Sequence, residues 1–150
     1  MTLLRYIGNE FFSSVTVFGH PVFYILLILL IVKFQLALVL PLAFGLALIE
    51  IICIIIKLLY KKRRPIPQAE QRWFLRIDAQ SFPSVHSARA AFLAFGALAV
   101  DATVASFVFC VGLALRVGYS RIYLKKHYVL DIISGFALGI IIVGPIFYFT

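Results

Sequence analysis

The 150-residue chain is poor in acid: six Asp and Glu stand against 14 Lys and Arg, for a formal charge of +8. In a soluble domain that imbalance suggests nucleic acid as a partner. Here charged residues make up only 13% of the chain. They sit mostly at the ends of apolar runs, so the basic excess fits anionic headgroups or phosphates and no nucleic acid is expected. Cysteine is scarce as well. Cys53 and Cys110 both lie inside apolar runs, where plain packing is their expected role. No Cys/His cluster has metal-ligand spacing, so no metal is expected. The charged, apolar, then small-residue layout of a cleaved leader is missing from the N-terminus. No internal repeat is visible, and no feature fixes an oligomeric state.

Apolar residues are what the chain has in excess. They make up 63% of it, against about 45–50% in ordinary soluble domains. The runs Phe34–Ile56 and Tyr128–Phe149 exceed the roughly 18 residues needed to cross a bilayer as a helix. A soluble fold would need a core larger than this chain encloses. The reading is therefore all-α: an integral, multi-pass membrane helical bundle forming one domain over residues 1–150. About five transmembrane helices are predicted, over Phe11–Val32, Phe34–Ile56, Pro83–Val100, Ala102–Tyr119 and Tyr128–Phe149. His20-Pro21 interrupts the first, which is read as an extra interfacial helix that becomes a span only after Pro21. Pro41 and Pro145 predict local kinks. The very short turns near Lys33 and Asp101 favour antiparallel neighbours.

Two connections are polar. The longer, Lys57 to Phe82, holds Lys57, Lys61, Lys62, Arg63, Arg64, Arg72 and Arg76. Within it, Gln68 to Ile77 sets Trp73, Phe74 and Leu75 beside those charges and predicts a segment at the headgroup level. The shorter, Ser120 to His127, holds Arg121, Lys125 and Lys126. Span parity puts both on one side of the membrane, where ten of the 14 Lys and Arg then gather. The positive-inside rule points that side to the cytoplasm.

Three segments on that basic face carry chemistry. In Lys57-Leu-Leu-Tyr-Lys-Lys-Arg-Arg64-Pro65, the seven-residue spacing puts Lys57 and Arg64 on one face if the helix runs that far, and Pro65 favours its end. The structural alternative is a basic stop at the end of a span. In Phe82-Pro83-Ser84-Val85-His86-Ser87, the Pro-Ser opening offers backbone N–H groups and a hydroxyl at a helix N-terminus, a natural phosphate site. The alternative there is an N-cap with an interfacial histidine. In Ser120-Arg121 to His127 and Asp131, the last two are four apart and meet on one helical face. A carboxylate that accepts from one imidazole nitrogen frees the lone pair of the other, the layout of an oriented nucleophile. Asp131 lies within an apolar span, where an acid is costly and usually functional.

Together the three segments resemble the phosphatidic acid phosphatase type 2 superfamily, which includes the vanadium haloperoxidases. The family pattern K-x6-R-P, P-S-G-H and S-R-x5-H-x3-D is met at Lys57, Arg64-Pro65, Pro83-Ser84-Val85-His86, Ser120-Arg121, His127 and Asp131, in order and in spacing. Val85 replaces the usual Gly, and an ordinary helical φ is expected there. The resemblance implies a metal-independent, cofactor-free membrane phosphatase of lipid phosphate monoesters or pyrophosphates. It implies His127 as nucleophile forming a phosphohistidine, Asp131 as its orienting partner and His86 as acid and then base. It implies Lys57, Arg64, Arg121, Ser84 and Val85 as holders of the phosphoryl oxygens. Substrates of this class include polyprenyl pyrophosphate, phosphatidic acid and phosphatidylglycerol phosphate, and the small size of the chain favours the first. Many bacterial relatives resemble enzymes of the outer leaflet, against the charge rule. Alternatives are a lipid phosphotransferase using the same intermediate, or a small transporter or channel with a basic mouth. Three further charges stand outside the motifs. Glu50 and Arg116 are read as a pair, or as the lining of a polar path, with snorkelling as the alternative for Arg116 and a protonated, helix-bonded acid as the alternative for Glu50. Arg89 is read as a helper of the phosphate site or an interfacial anchor.

Overall fold

A computed structural model describes residues 3–32, 36–66 and 79–148. The expected headgroup-level segment Gln68–Ile77, Asp78 and the turn at Lys33 lie outside the described residues. What is described is helical. The chain runs through α1 (Leu3–Thr16), a 3₁₀ turn (Val17–Gly19), α2 (Pro21–Val32), α3 (Leu36–Tyr60), α4 (Val85–Val100), α5 (Val104–Tyr123) and α6 (Val129–Tyr148).

The interruption at His20-Pro21 is a bend of 51° between the first two helices. Proline has no N–H to donate and its fixed φ suits a first helical position, so Pro21 opens α2 while His20 stays extended. α3 runs through Pro41 and α6 through Pro145. Length and composition qualify three helices to cross a membrane, namely α3, α5 and Val129–Phe147 of α6, and four if the bent pair counts as one span. The remaining expected span is α4. At 16 residues it rises about 24 Å, short of a hydrocarbon core of about 30 Å.

α4 is the centre of the bundle. It packs on α6, α5 and α3, and Ala88, Ala91 and Phe92 are fully or almost fully buried. The outer helices reverse the soluble pattern: Leu40, Leu59 and Val104 are among the most exposed side chains, as a surface against lipid requires. The chain is an integral, multi-pass membrane protein.

Small residues set how closely α4 and α6 approach. Gly135 and Gly139 share one face of α6. A Cβ on Gly135 would lie 2.4 Å from the Ser84 carbonyl oxygen, and one on Gly139 would lie 2.2 Å from that of Ala88. Backbone cannot yield as a flexible side chain can, so the helices would have to separate. Overpacking of this kind costs about 1–3 kcal/mol. Gly135→Val is expected to lower the melting temperature in detergent and abolish activity; an unchanged melting temperature would contradict this packing.

Candidate active site

The first motif does not continue as helix to Arg64. α3 ends at Tyr60, and Lys61 turns into the left-handed region at φ 46° while its N–H still donates to the Lys57 carbonyl. Lys57 and Arg64 are therefore not held on a common helical face. Both are nevertheless buried, at 3% and 6% exposure. Arg64 is delivered by an extended stretch: Arg63 pairs with Gln80 in an isolated antiparallel bridge. Beside it Ser81 N donates to the Lys62 carbonyl at 2.9 Å and Ser81 Oγ to the Arg63 carbonyl at 3.1 Å. This pairing binds the first motif to the start of the second.

Ser84 caps α4. Its Oγ accepts from Ser87 N at 3.4 Å and from Ser87 Oγ at 3.0 Å. A hydroxyl that accepts twice keeps its own hydrogen to donate. Ser84 N donates to the main-chain oxygen of Asp131 at 2.9 Å, joining the second motif to the third. Val85 begins the helix with ordinary negative φ, since Lys61 and Lys125 are the only non-glycine residues described with positive φ. His86, in the first turn, is half-buried.

The third motif leaves α5 with Ser120 and Arg121 buried in its last turns. Lys126 N and His127 N both donate to the Arg121 carbonyl, and Lys125 at φ 52° tightens the turn. His127 is 3% exposed. Its Nδ1 lies 2.7 Å from the Ser81 carbonyl oxygen. A carbonyl only accepts, so Nδ1 carries the hydrogen and Nε2 keeps its lone pair. Asp131 is fully buried, 3.8 Å from Nδ1, too far for a hydrogen bond. The expected direct Asp131–His127 bond is thus replaced by Ser81. Asp131 instead accepts from Tyr128 N at 2.9 Å and from Lys62 Nζ at 2.7 Å. Neither Ser81 nor Lys62 was singled out by sequence reasoning. A main-chain carbonyl leaves no side-chain signature, and Lys62 is one cation within a basic run.

Residues 38–150 match the model of the PAP2 superfamily. The chain belongs to this superfamily. A transmembrane PAP2-type phosphatidylglycerolphosphate phosphatase from Bacillus subtilis superposes with a TM-score of 0.76 at 24% identity, over 94% of this chain and 75% of that one. LpxE from Aquifex aeolicus superposes with a TM-score of 0.78 at 26% identity, over 95% and 86%. Family and fold together place the chain among membrane proteins with the PAP2 phosphatase fold.

Electrostatics join the three PAP2 motifs. Arg121 and Arg64 act on His127, and His127, Arg121, Arg89 and His20 all lie within electrostatic range of His86. Burial pushes the His127 imidazole below its ordinary range. The two guanidinium groups push the same way, while Asp131 and the Ser81 carbonyl oppose them. Among the described residues, no three His, Cys, Asp or Glu side chains gather as a metal site would need. The further charges fall differently from their expected places. Glu50 pairs with Arg89, not with Arg116, and Arg116 is exposed on α5, the snorkelling alternative. Arg89 is buried and is not an interfacial anchor. The pairing partner was hidden because Glu50 and Arg89 lie 39 residues apart on different helices.

Proposed function

We propose that the protein hydrolyses lipid phosphates or pyrophosphates through a phosphohistidine on His127. The observation that carries this reading is the 2.7 Å contact of His127 Nδ1 with the Ser81 carbonyl, which leaves Nε2 as the nucleophilic nitrogen. Nε2 attacks phosphorus, the N–P bond forms, and the bond to the leaving oxygen breaks as His86 gives that oxygen a proton. His86 then takes a proton from water, the new O–P bond forms, the N–P bond breaks, and the electron pair returns to Nε2 with release of inorganic phosphate. Asp131 faces the imidazole and offsets the positive charge it gains. Lys57, Arg64 and Arg121 hold the phosphoryl oxygens, joined by the Ser84 hydroxyl and the backbone N–H groups at Val85 that open α4. Phosphoryl transfer depends on such positioning and charge neutralisation more than on covalent chemistry by the protein.

The substrate we propose is polyprenyl pyrophosphate. Its support is twofold. An apolar cavity of about 560 Å³, lined by Phe18, Leu42, Ala94, Ala114 and Val117 among others, offers room for a hydrocarbon chain inside the bundle. Lys61 and Lys125, exposed on the two basic connections, suit a second phosphate. Purified protein offered polyprenyl pyrophosphate, phosphatidic acid and phosphatidylglycerol phosphate, with His127→Ala as blank, should release phosphate from the first most efficiently. Equal release from a water-soluble sugar phosphate would overturn the lipid assignment.

The depressed His127 pKa sets the acid limb of the pH profile. A group whose pKa is lowered stays neutral as pH falls through the ordinary histidine value of about 6.5, so the nucleophile is lost only below it. The profile of kcat, which reports the substrate complex, is expected to be bell-shaped, falling on its alkaline side as His86 loses the proton that the substrate's phosphate charge retains there. An acid limb above about pH 6.5, or a flat profile across neutrality, would contradict the two-histidine scheme.

A further inference from the structure

The break between α1 and α2 lies against the back of His86. A Cβ on Gly19 would fall 2.8 Å from both Cβ and Cδ2 of the imidazole side chain, so only glycine fits there without moving the ring. The Gly19 carbonyl accepts from Arg89 Nη1 at 2.9 Å. Arg89 sits one helical turn beyond His86 on α4, and its Nε and Nη2 are taken by Glu50 of α3. The break is tied a second time from α2: Tyr24, 2% exposed, donates its hydroxyl to the Phe18 carbonyl at 3.0 Å, and its ring lies 6.0 Å from the Arg89 guanidinium.

We propose that Gly19, Arg89 and Glu50 form a clamp that positions His86 for its proton transfers; this rests on the assignment of His86 as acid and base. An ion pair within a membrane bundle carries a desolvation cost and is weak evidence for stability alone. This one joins α3, α4 and the break at Gly19, where the break touches His86. The clamp acts through the His86 imidazole, which Gly19 backs and to which Arg89 is joined along α4. The N-terminal segment thereby becomes part of the working site, although it precedes all three motifs.

The two chemical steps separate this role from simple helix cohesion. With p-nitrophenyl phosphate, the nitrophenolate leaves without a proton, so formation of the phosphoenzyme does not need His86. Its hydrolysis does, because the proton of the attacking water goes to His86. In rapid-quench measurements, Gly19→Ala is expected to form the phosphoenzyme at the wild-type rate and to hydrolyse it about ten- to a hundred-fold more slowly, the scale of a displacement of about 1 Å. Glu50→Gln, which keeps an acceptor and removes the charge, should show the same split in milder form and serves if Gly19→Ala does not fold. Equal slowing of both steps, or no slowing of either, in folded protein would overturn the clamp. Absence of a phosphoenzyme from the wild type would overturn the reading of His127 itself, and the clamp with it.

Discussion

His127→Ala is expected to lower lipid phosphate hydrolysis by at least about 10⁴-fold, the scale on which losing a covalent nucleophile is felt, without lowering the melting temperature in detergent by a comparable measure. The side chain is buried, but its hydrogen bonds to the protein are few: Nδ1 to the Ser81 carbonyl, with the contact to Asp131 at 3.8 Å. Asp131 keeps two other partners, Lys62 and Tyr128 N, when the imidazole is gone, so the carboxylate is not stranded. The Arg63–Gln80 bridge and the Ser84 N to Asp131 O bond hold the three motifs together independently of the imidazole. Activity measured by phosphate release, beside a thermal melt of the same sample, checks both halves of this expectation. A folded His127→Ala protein with more than a hundredth of wild-type activity would remove His127 from the role of nucleophile.

His86→Asn is expected to have the second largest effect, and of a different kind. General acid–base catalysis contributes about 10²–10⁴-fold, so lipid turnover should fall by that factor. The loss should depend on the leaving group. With p-nitrophenyl phosphate, the first step survives and the second stalls, so the phosphoenzyme accumulates and a burst of nitrophenolate approaches one equivalent of enzyme. His86 is half-buried near Arg121 and Arg89, and in the proposed scheme the phosphate charge of the bound substrate retains its proton. A His86→Asn protein that shows the same fractional loss in both steps would mean that His86 supports the fold of the site without moving protons.

The long apolar runs made α3, α5 and α6 legible in sequence, because length and hydropathy are all that a span against lipid requires. His20-Pro21 announced the bend between α1 and α2, since proline's missing N–H acts locally. α4 was harder. Its Ala- and Gly-rich run reads as apolar without saying whether the surroundings are lipid or protein, and it proves to be the buried centre. The end of α3 at Tyr60 was not legible, because what draws Arg63 and Arg64 away is a pairing with Gln80 and Ser81 far along the chain. The site followed the same division. Side chains in a spaced pattern, Lys57, Arg64, His86, Arg121, His127 and Asp131, could be picked out from the sequence. The Ser81 carbonyl that fixes the His127 tautomer, the Lys62 that binds Asp131 and the Glu50 partner of Arg89 could not. Each depends on a contact between distant segments, and in one of them the partner is a main-chain carbonyl.

The bond between phosphorus and His127 can be tested by chemical trapping. Wild-type and His86→Asn proteins are mixed with a lipid pyrophosphate radiolabelled on its terminal phosphate, quenched within milliseconds in alkali, and digested for peptide mapping. The expected result is a label stable in alkali, lost in acid and mapping to the peptide that holds His127. A label that survives acid, or one that maps to another residue, or hydrolysis with no labelled protein in either sample, would contradict it.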